Sequence, residues 1–245
     1  MGVMLKCGAV FLHIPKTGGS WVEKALKAIG QAERLLYHRH ADMTRVMHYS
    51  KFEPPPKRKG LKKWVEFRPH TRQAATTTPF RFCFVRHPLH WYESWWRYME
   101  GKKWNHWGRQ AAAHDWHPSS PLNGLGDPDF NQFLRNVIRV RPGYVTELYS
   151  RYTEEGIEFI GRQEDLVEGL IHVLRLLNVS FDEQIIRNLG PENVSPTPQA
   201  RIRWDPQLRA LITRLEYPSL VRYGYVQDEM QALLDQPELR IRIAA

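Results

Sequence analysis

Only two cysteines, Cys7 and Cys83, occur in 245 residues, too few for a disulfide framework. Both fall in segments that read as strands, so buried thiols without a catalytic part are expected. No apolar run approaches the roughly 20 residues that a helix needs to cross a bilayer. No cysteine–histidine cluster has metal-ligand spacing, so no metal is expected. Both common nucleotide fingerprints are missing: there is no G-x-x-x-x-G-K-[ST] and no G-x-G-x-x-G. Helix-turn-helix, zinc and RNP patterns are missing too, and no internal repeat is evident. No charged leader with an apolar centre and a cleavage site precedes the first strand, so a cytoplasmic location is expected. Without a secretory signal, the glycosylation patterns at Asn178-Val179-Ser180 and Asn193-Val194-Ser195 carry little weight.

Charge is not lacking. The formal net charge is +9, which suits an anionic cofactor or acceptor. The basic run Lys57-Arg58-Lys59-Gly60-Leu61-Lys62-Lys63 follows Pro54-Pro55-Pro56. It reads as a solvated loop before a flap over an anionic acceptor, and nucleic acid comes last because no recognition motif accompanies it.

One segment stands out: Phe11-Leu12-His13-Ile14-Pro15-Lys16-Thr17-Gly18-Gly19-Ser20-Trp21. The apolar run Ala9 to Leu12 predicts a buried strand, Pro15 stops it, and Gly18 and Gly19 free the backbone. Ser20 opens an amphipathic helix. A strand, a short loop and a helix N-terminus present unpaired N–H groups and the positive end of a helix dipole to an anion. Lys16 adds a point charge there, so phosphate or sulfate is the expected ligand.

A second junction repeats the design. Phe80 to Val85 reads as a buried central strand. Arg86-His87-Pro88 ends it, Pro88 suits a first helical position, and Leu89 to Met99 continues as a helix. Arg86 can fork onto a phosphate and Ser94 can donate a hydroxyl hydrogen bond. Ligands of open α/β sheets lie beyond the carboxyl ends of the strands, where both junctions sit.

The order Pro15-Lys16-Thr17-Gly18-Gly19-Ser20 resembles the 5′-phosphosulfate loop of sulfotransferases that use 3′-phosphoadenosine 5′-phosphosulfate (PAPS). Arg86 with Ser94 resembles their 3′-phosphate motif. The Arg162-to-Leu166 segment is similar to a later strand-and-helix of the family, and Tyr223-Gly224-Tyr225 is similar to its aromatic-Gly-Tyr ending. The resemblance implies a three-layer, P-loop-kinase-like α/β fold with a central parallel sheet flanked by helices. It implies a cofactor set of Lys16, Thr17, Gly18, Gly19, Ser20, Trp21, Arg86 and Ser94. The implied reaction moves the sulfuryl group of PAPS to an acceptor hydroxyl and releases 3′,5′-adenosine bisphosphate (PAP), with no metal. Lys16 would meet the bridging oxygen as charge builds there.

Tyr37-His38-Arg39-His40 resembles the His-x-His segment of uronyl 2-O-sulfotransferases, whose second histidine is the base. That match implies His40 as base and His38 as support. Glu23 is the alternative base, and His13, on the strand ahead of the loop, reads as structural. Six of the nine tryptophans fall between Trp91 and Trp116. Trp95 reads as core, while Trp104, Trp107 and Trp116 suit either packing or a sugar platform. The mixture of charge and rings favours a carbohydrate acceptor. Alternatives are a nucleotide or sugar kinase, and a nonenzymatic nucleotide-binding protein of this fold.

The whole chain, 1–245, is expected to form one domain, with irregular insertions near 51–79 and 101–128. A strand at Leu35 to Tyr37, a helix at Ala41 to Tyr49, and a helix at Asp129 to Val140 are expected. So are a strand at Ile157 to Ile160, a helix at Val167 to Leu177 and a helix over 205–216. Gly161 and the acids after it read as structural.

Overall fold

The computed structural model describes residues 2–36, 40, 42–44, 79–101, 117–154, 156–192 and 202–234. His38, Trp104, Trp107, Trp116, Asn193, the basic run at 57–63 and most of the 41–49 helix lie outside them.

Five strands form one sheet in the order β3-β1-β2-β4-β5. They are β1 (Gly2–Leu5), β2 (Val10–Leu12), β3 (Ala32–Leu36), β4 (Arg81–Val85) and β5 (Phe159–Arg162). The sheet is mixed, not wholly parallel as expected. β2, β4 and β5 run parallel, with Leu12 opposite Cys83 and Val85 opposite Arg162. β1 is antiparallel to both β2 and β3. The cause is length: four residues join β1 to β2, and a parallel link needs a crossover of about a dozen. Gly8, at φ +86°, takes the left-handed conformation that this turn requires. Cys7 lies in the same turn and is exposed, so the expectation of a buried strand thiol fails there. Cys83 is buried in β4, and burial pushes its thiol pKa up, which keeps it protonated and inert.

Nine helices follow among the described residues: α1 (Gly19–Ala28), α2 (Pro88–Gly101), α3 (Phe130–Val140), α4 (Tyr144–Ser150), α5 (Leu166–Leu176), α6 (Glu183–Arg187), α7 (Pro206–Leu215), α8 (Tyr217–Arg222) and α9 (Val226–Leu234). Their starts follow capping chemistry. Asp129, Asp182 and Asp205 each accept a backbone N–H at the head of α3, α6 and α7. β5 begins two residues later than the apolar pattern predicts, because Glu158 instead ties its backbone and carboxylate to Arg81.

Alternation along the strands feeds two separate cores. Phe11, Phe82 and Phe84 pack with Trp21, Val22, Ala25 and Leu26 of α1 and with Leu170, Ile171, Val173 and Leu174 of α5. Val10, Leu12, Cys83 and Val85 pack with α2, α3 and α4 through Trp91, Phe133 and Tyr149. Each such side chain contributes roughly 1.5–3 kcal/mol on full burial. Trp95 lies in the second core, as expected. Gly161 is structural, as expected: a Cβ there would stand 2.5 Å from the Phe84 ring. Because β2, β4 and β5 are parallel, their carboxyl ends open on one sheet edge. The loops after Leu12, Val85 and Arg162 meet there.

Candidate active site

The first loop is built from two left-handed residues and a helix start. Lys16 has φ +66° and Gly18 has φ +82°, an uncommon conformation for a lysine. Gly18 caps α1, and its carbonyl accepts the amides of Trp21 and Val22. The amides of Gly19 and Ser20 precede the first intrahelical bond, as helix geometry requires. A Cβ on Gly18 would meet Leu166 at 2.7 Å, so the loop sits tightly against the start of α5.

The side chains of this loop divide between frame and surface. Thr17 is buried and donates its hydroxyl to the Ile14 carbonyl at 3.1 Å, so that hydroxyl braces the turn. Trp21 turns its ring into the core under the sheet. Lys16 is half-buried, and its Nζ stands 4.4 Å from the centre of the Tyr98 ring on α2, a cation–π contact. The Trp91 Nε1–H donates to the Pro15 carbonyl at 2.8 Å and fastens the loop to α2.

Under the helix start lies a buried pair. His13 Nδ1 is 2.8 Å from Glu23 Oε1, and both side chains are nearly inaccessible. The His13 ring packs flat against Gly19, where a Cβ would stand 2.0 Å from Cδ2. Any side chain at that position would force the ring or the helix start to shift. Glu23, the alternative base, is committed to His13.

His40 packs edge-to-face on His13 at 4.7 Å and on His117 at 4.8 Å. Its Nδ1 lies 3.1 Å from the His13 carbonyl oxygen. A carbonyl only accepts, so Nδ1 carries the hydrogen and Nε2 of the neutral ring has the lone pair. The Tyr152 hydroxyl donates to the His40 carbonyl at 2.8 Å, fixing the backbone. Burial first, then the neighbouring His13 and His117, pushes the His40 pKa far below the ordinary histidine value. The ring is neutral across the physiological range.

At the tip of β4, Arg86 is held by Tyr149. The Tyr149 hydroxyl accepts the Arg86 amide at 3.1 Å and donates to the Arg86 carbonyl at 2.8 Å. The Arg86 Nε is buried with no hydrogen-bond partner among the described residues. Burial lowers the guanidinium pKa, partly offset by Tyr149, Glu164 and Glu93. Glu164, from the turn after β5, accepts the His87 amide at 3.0 Å and the Tyr225 hydroxyl at 2.7 Å. That ties the β4 tip to the C-terminal Tyr223-Gly224-Tyr225 segment, and Glu164 is structural, as expected.

Ser94 is half-buried on α2 and shares a helical face with Trp91, Trp95 and Tyr98. Trp91 and Trp95 stack at 5.6 Å with planes 11° apart. Tyr98 and His117 flank Trp95 at 5.8 and 6.3 Å.

The structure thus gathers Lys16, Gly18, Gly19, His13 and His40 around one loop, and sets Arg86 at the end of the neighbouring parallel strand. Two residues of this assembly escaped sequence reasoning. Tyr98 was legible as the i+7 partner of Trp91. His117 had no signal, since it lies in an aperiodic stretch. Among the described residues no group of histidine, cysteine or acid side chains is arranged to hold a metal ion, and no helix is long and apolar enough to cross a membrane.

Neither the curated proteins nor the solved structures provide a match to this chain. A family model described as the sulfotransferase family matches residues 5–225, from the first strand to the tyrosine that bonds Glu164. That span contains every residue of the site described above, and the chain belongs to the sulfotransferase family.

Proposed function

We propose that this chain transfers a sulfuryl group from PAPS to a carbohydrate hydroxyl by in-line displacement, with His40 as the base. The observation that carries the reading is the pairing of two anion-directed sites on adjacent parallel strands. One is the α1 N-terminus with Lys16, after β2. The other is Arg86, after β4, whose buried Nε has no hydrogen-bond partner among the described residues. A buried guanidinium nitrogen without a partner is costly unless a ligand satisfies it. The two sites suit a cofactor with phosphates at both ends, and the three-layer, P-loop-kinase-like arrangement fits the two cores.

PAPS when bound would supply the sulfuryl group and a phosphate leaving group. The Gly19 and Ser20 amides and the α1 dipole would hold the 5′-phosphate. Lys16 would neutralise charge on the departing oxygen, and Arg86 with Ser94 would hold the 3′-phosphate. His40 Nε2 would take the proton of the acceptor hydroxyl as that oxygen replaced the phosphate oxygen on sulfur.

His40 is a feeble base in the unliganded protein. An anion changes that: a unit negative charge at about 7 Å, through an effective dielectric of about 20, is worth about 2 kcal/mol, or nearly two pKa units. Binding of the anionic cofactor would therefore move His40 toward a stronger base, in the direction that transfer requires. The net charge of +9 and the exposed Tyr98 ring favour a polar, sugar-like acceptor.

The test is incubation with radiolabelled PAPS and a panel of hydroxyl acceptors, unsulfated glycans among them. Label transfer with release of PAP is expected. Phosphotransfer from ATP to the same panel, without label transfer from PAPS, would replace this reading with a kinase.

A further inference from the structure

Resting on the proposed transfer, we infer that Glu229 on α9 is a positioning residue for the cofactor. Through His87 it sets the backbone from which Arg86 reaches the 3′-phosphate.

Arg86 is not aimed by a bond at its own Nε, which is buried without a hydrogen-bond partner among the described residues. Its direction depends on the chain at 86–87. Tyr149 holds the Arg86 amide and carbonyl. His87, the next residue, is held at three points. Glu164 accepts its amide at 3.0 Å, and the Tyr225 ring packs edge-on to its ring at 5.0 Å. Its Nε2 stands 3.1 Å from Glu229 Oε1. A carboxylate only accepts, so Nε2 carries the hydrogen.

Glu229 is itself fixed. Arg209 of α7 donates to the same Oε1 at 2.9 Å. The Glu229 amide donates to the Tyr225 carbonyl at 3.1 Å, near the start of α9. The Tyr225 hydroxyl in turn bonds Glu164 at 2.7 Å. Two routes therefore run from the C-terminal segment to His87, one to its amide through Glu164 and one to its ring through Glu229. The first lies within the span that the family model matches, and the second comes from beyond residue 225.

Stability alone does not account for the pair. The His87 and Glu229 side chains are only 5% and 9% exposed. His87 Nδ1 and Glu229 Oε2 are buried without hydrogen-bond partners among the described residues. Burying such groups costs free energy that apolar packing of the same volume avoids. What the pair supplies is one orientation of the ring, and with it of the strand tip. A guanidinium forks onto a phosphate only in a narrow geometry, and misplacement by about 1 Å can cost about a hundredfold.

The experiment titrates the unmodified chain, Glu229→Met and Glu229→Gln with PAP and with AMP by calorimetry. The radiolabelled assay above gives KM for PAPS and kcat. Methionine fills a similar volume without a carboxylate, while glutamine keeps an acceptor oxygen. The inference predicts that methionine weakens PAP by about tenfold and leaves AMP within about twofold. The KM for PAPS should rise with the PAP loss while kcat falls by less than about threefold, and glutamine should recover at least about threefold in PAP affinity. Should Glu229→Met not fold, Glu229→Asp, which draws the carboxylate back from His87, carries the same prediction. Unchanged PAP affinity in these variants overturns the inference while the proposed function stands. Equal weakening of PAP and AMP also overturns it, by making Glu229 a folding residue only. Failure of the unmodified chain to bind PAP overturns both readings.

Discussion

Trp91 donates its indole N–H to the Pro15 carbonyl across 2.8 Å, joining the loop after β2 to the helix after β4. Neither junction is therefore positioned alone. Trp91 is fully buried and stacks on Trp95, so the link is rigid, and the distance between the two sites is set by packed aromatic rings. A ligand that bridges the sites meets a preformed spacing, which lowers the ordering cost of binding.

Lys16 is expected to act on the transition state. Its ammonium rests on the Tyr98 ring, a contact it can leave for a departing oxygen. Lys16→Ala should lower turnover by about a thousandfold while PAP affinity changes only a few-fold. Steady-state kinetics with calorimetry will check this. Loss of most PAP affinity instead would make Lys16 a binding residue only.

Arg86 is expected to act on binding. Arg86→Ala should weaken PAP affinity by roughly ten- to a hundredfold, the worth of a charge-assisted hydrogen bond to phosphate. AMP affinity should scarcely change, since AMP has no 3′-phosphate. Equal weakening for both ligands would move Arg86 away from the 3′-phosphate.

His40 links stability to pH. Its folded-state pKa is depressed by burial, ahead of His13 and His117. The unfolded chain therefore binds the proton more readily. The stabilising contribution is complete above the ordinary value of about 6.5 and is lost as pH falls below it, by up to about 1.4 kcal/mol per pH unit. Denaturant unfolding between pH 7.5 and 5 should show a smaller stability loss for His40→Gln than for the unmodified chain. Equal losses would place the His40 ring in water.

Gly19 is the more tightly packed of the two loop glycines. An added Cβ would stand 2.0 Å from the buried His13 ring, which Glu23 prevents from yielding. Gly19→Ala should cost about 1–3 kcal/mol by denaturant unfolding, the usual price of overpacking. It should also weaken PAP, because the amides at the α1 start must shift. A variant of unchanged stability would contradict the packing of His13 on the helix.

The parts legible in the sequence are those with local causes. Pro15, Gly18 and Gly19 predict a strand-to-helix turn, and β2 and α1 flank it, though α1 starts at Gly19 rather than Ser20. Pro88 marks the start of α2, and Asp129 and Asp205 mark α3 and α7. What the sequence hid depends on partners far along the chain. The antiparallel β1 follows from a four-residue turn whose flanking strands are short. The His13–Glu23 pair needs the loop to fold back on α1. Thr17 and Trp21 stand in the same motif as Lys16 and Gly19. Only tertiary contacts show that Thr17 braces the turn and that Trp21 belongs to the core. His117 lies 77 positions from His40 in a stretch without periodicity, so no pattern could pair them.

The measurement that tests the central claim most directly is calorimetric titration of the purified protein with PAP, with AMP and ATP as controls. The account predicts PAP binding at least about tenfold tighter than AMP, through the charge-assisted contact of Arg86 with the 3′-phosphate. No binding of PAP, or a preference for ATP, would contradict it.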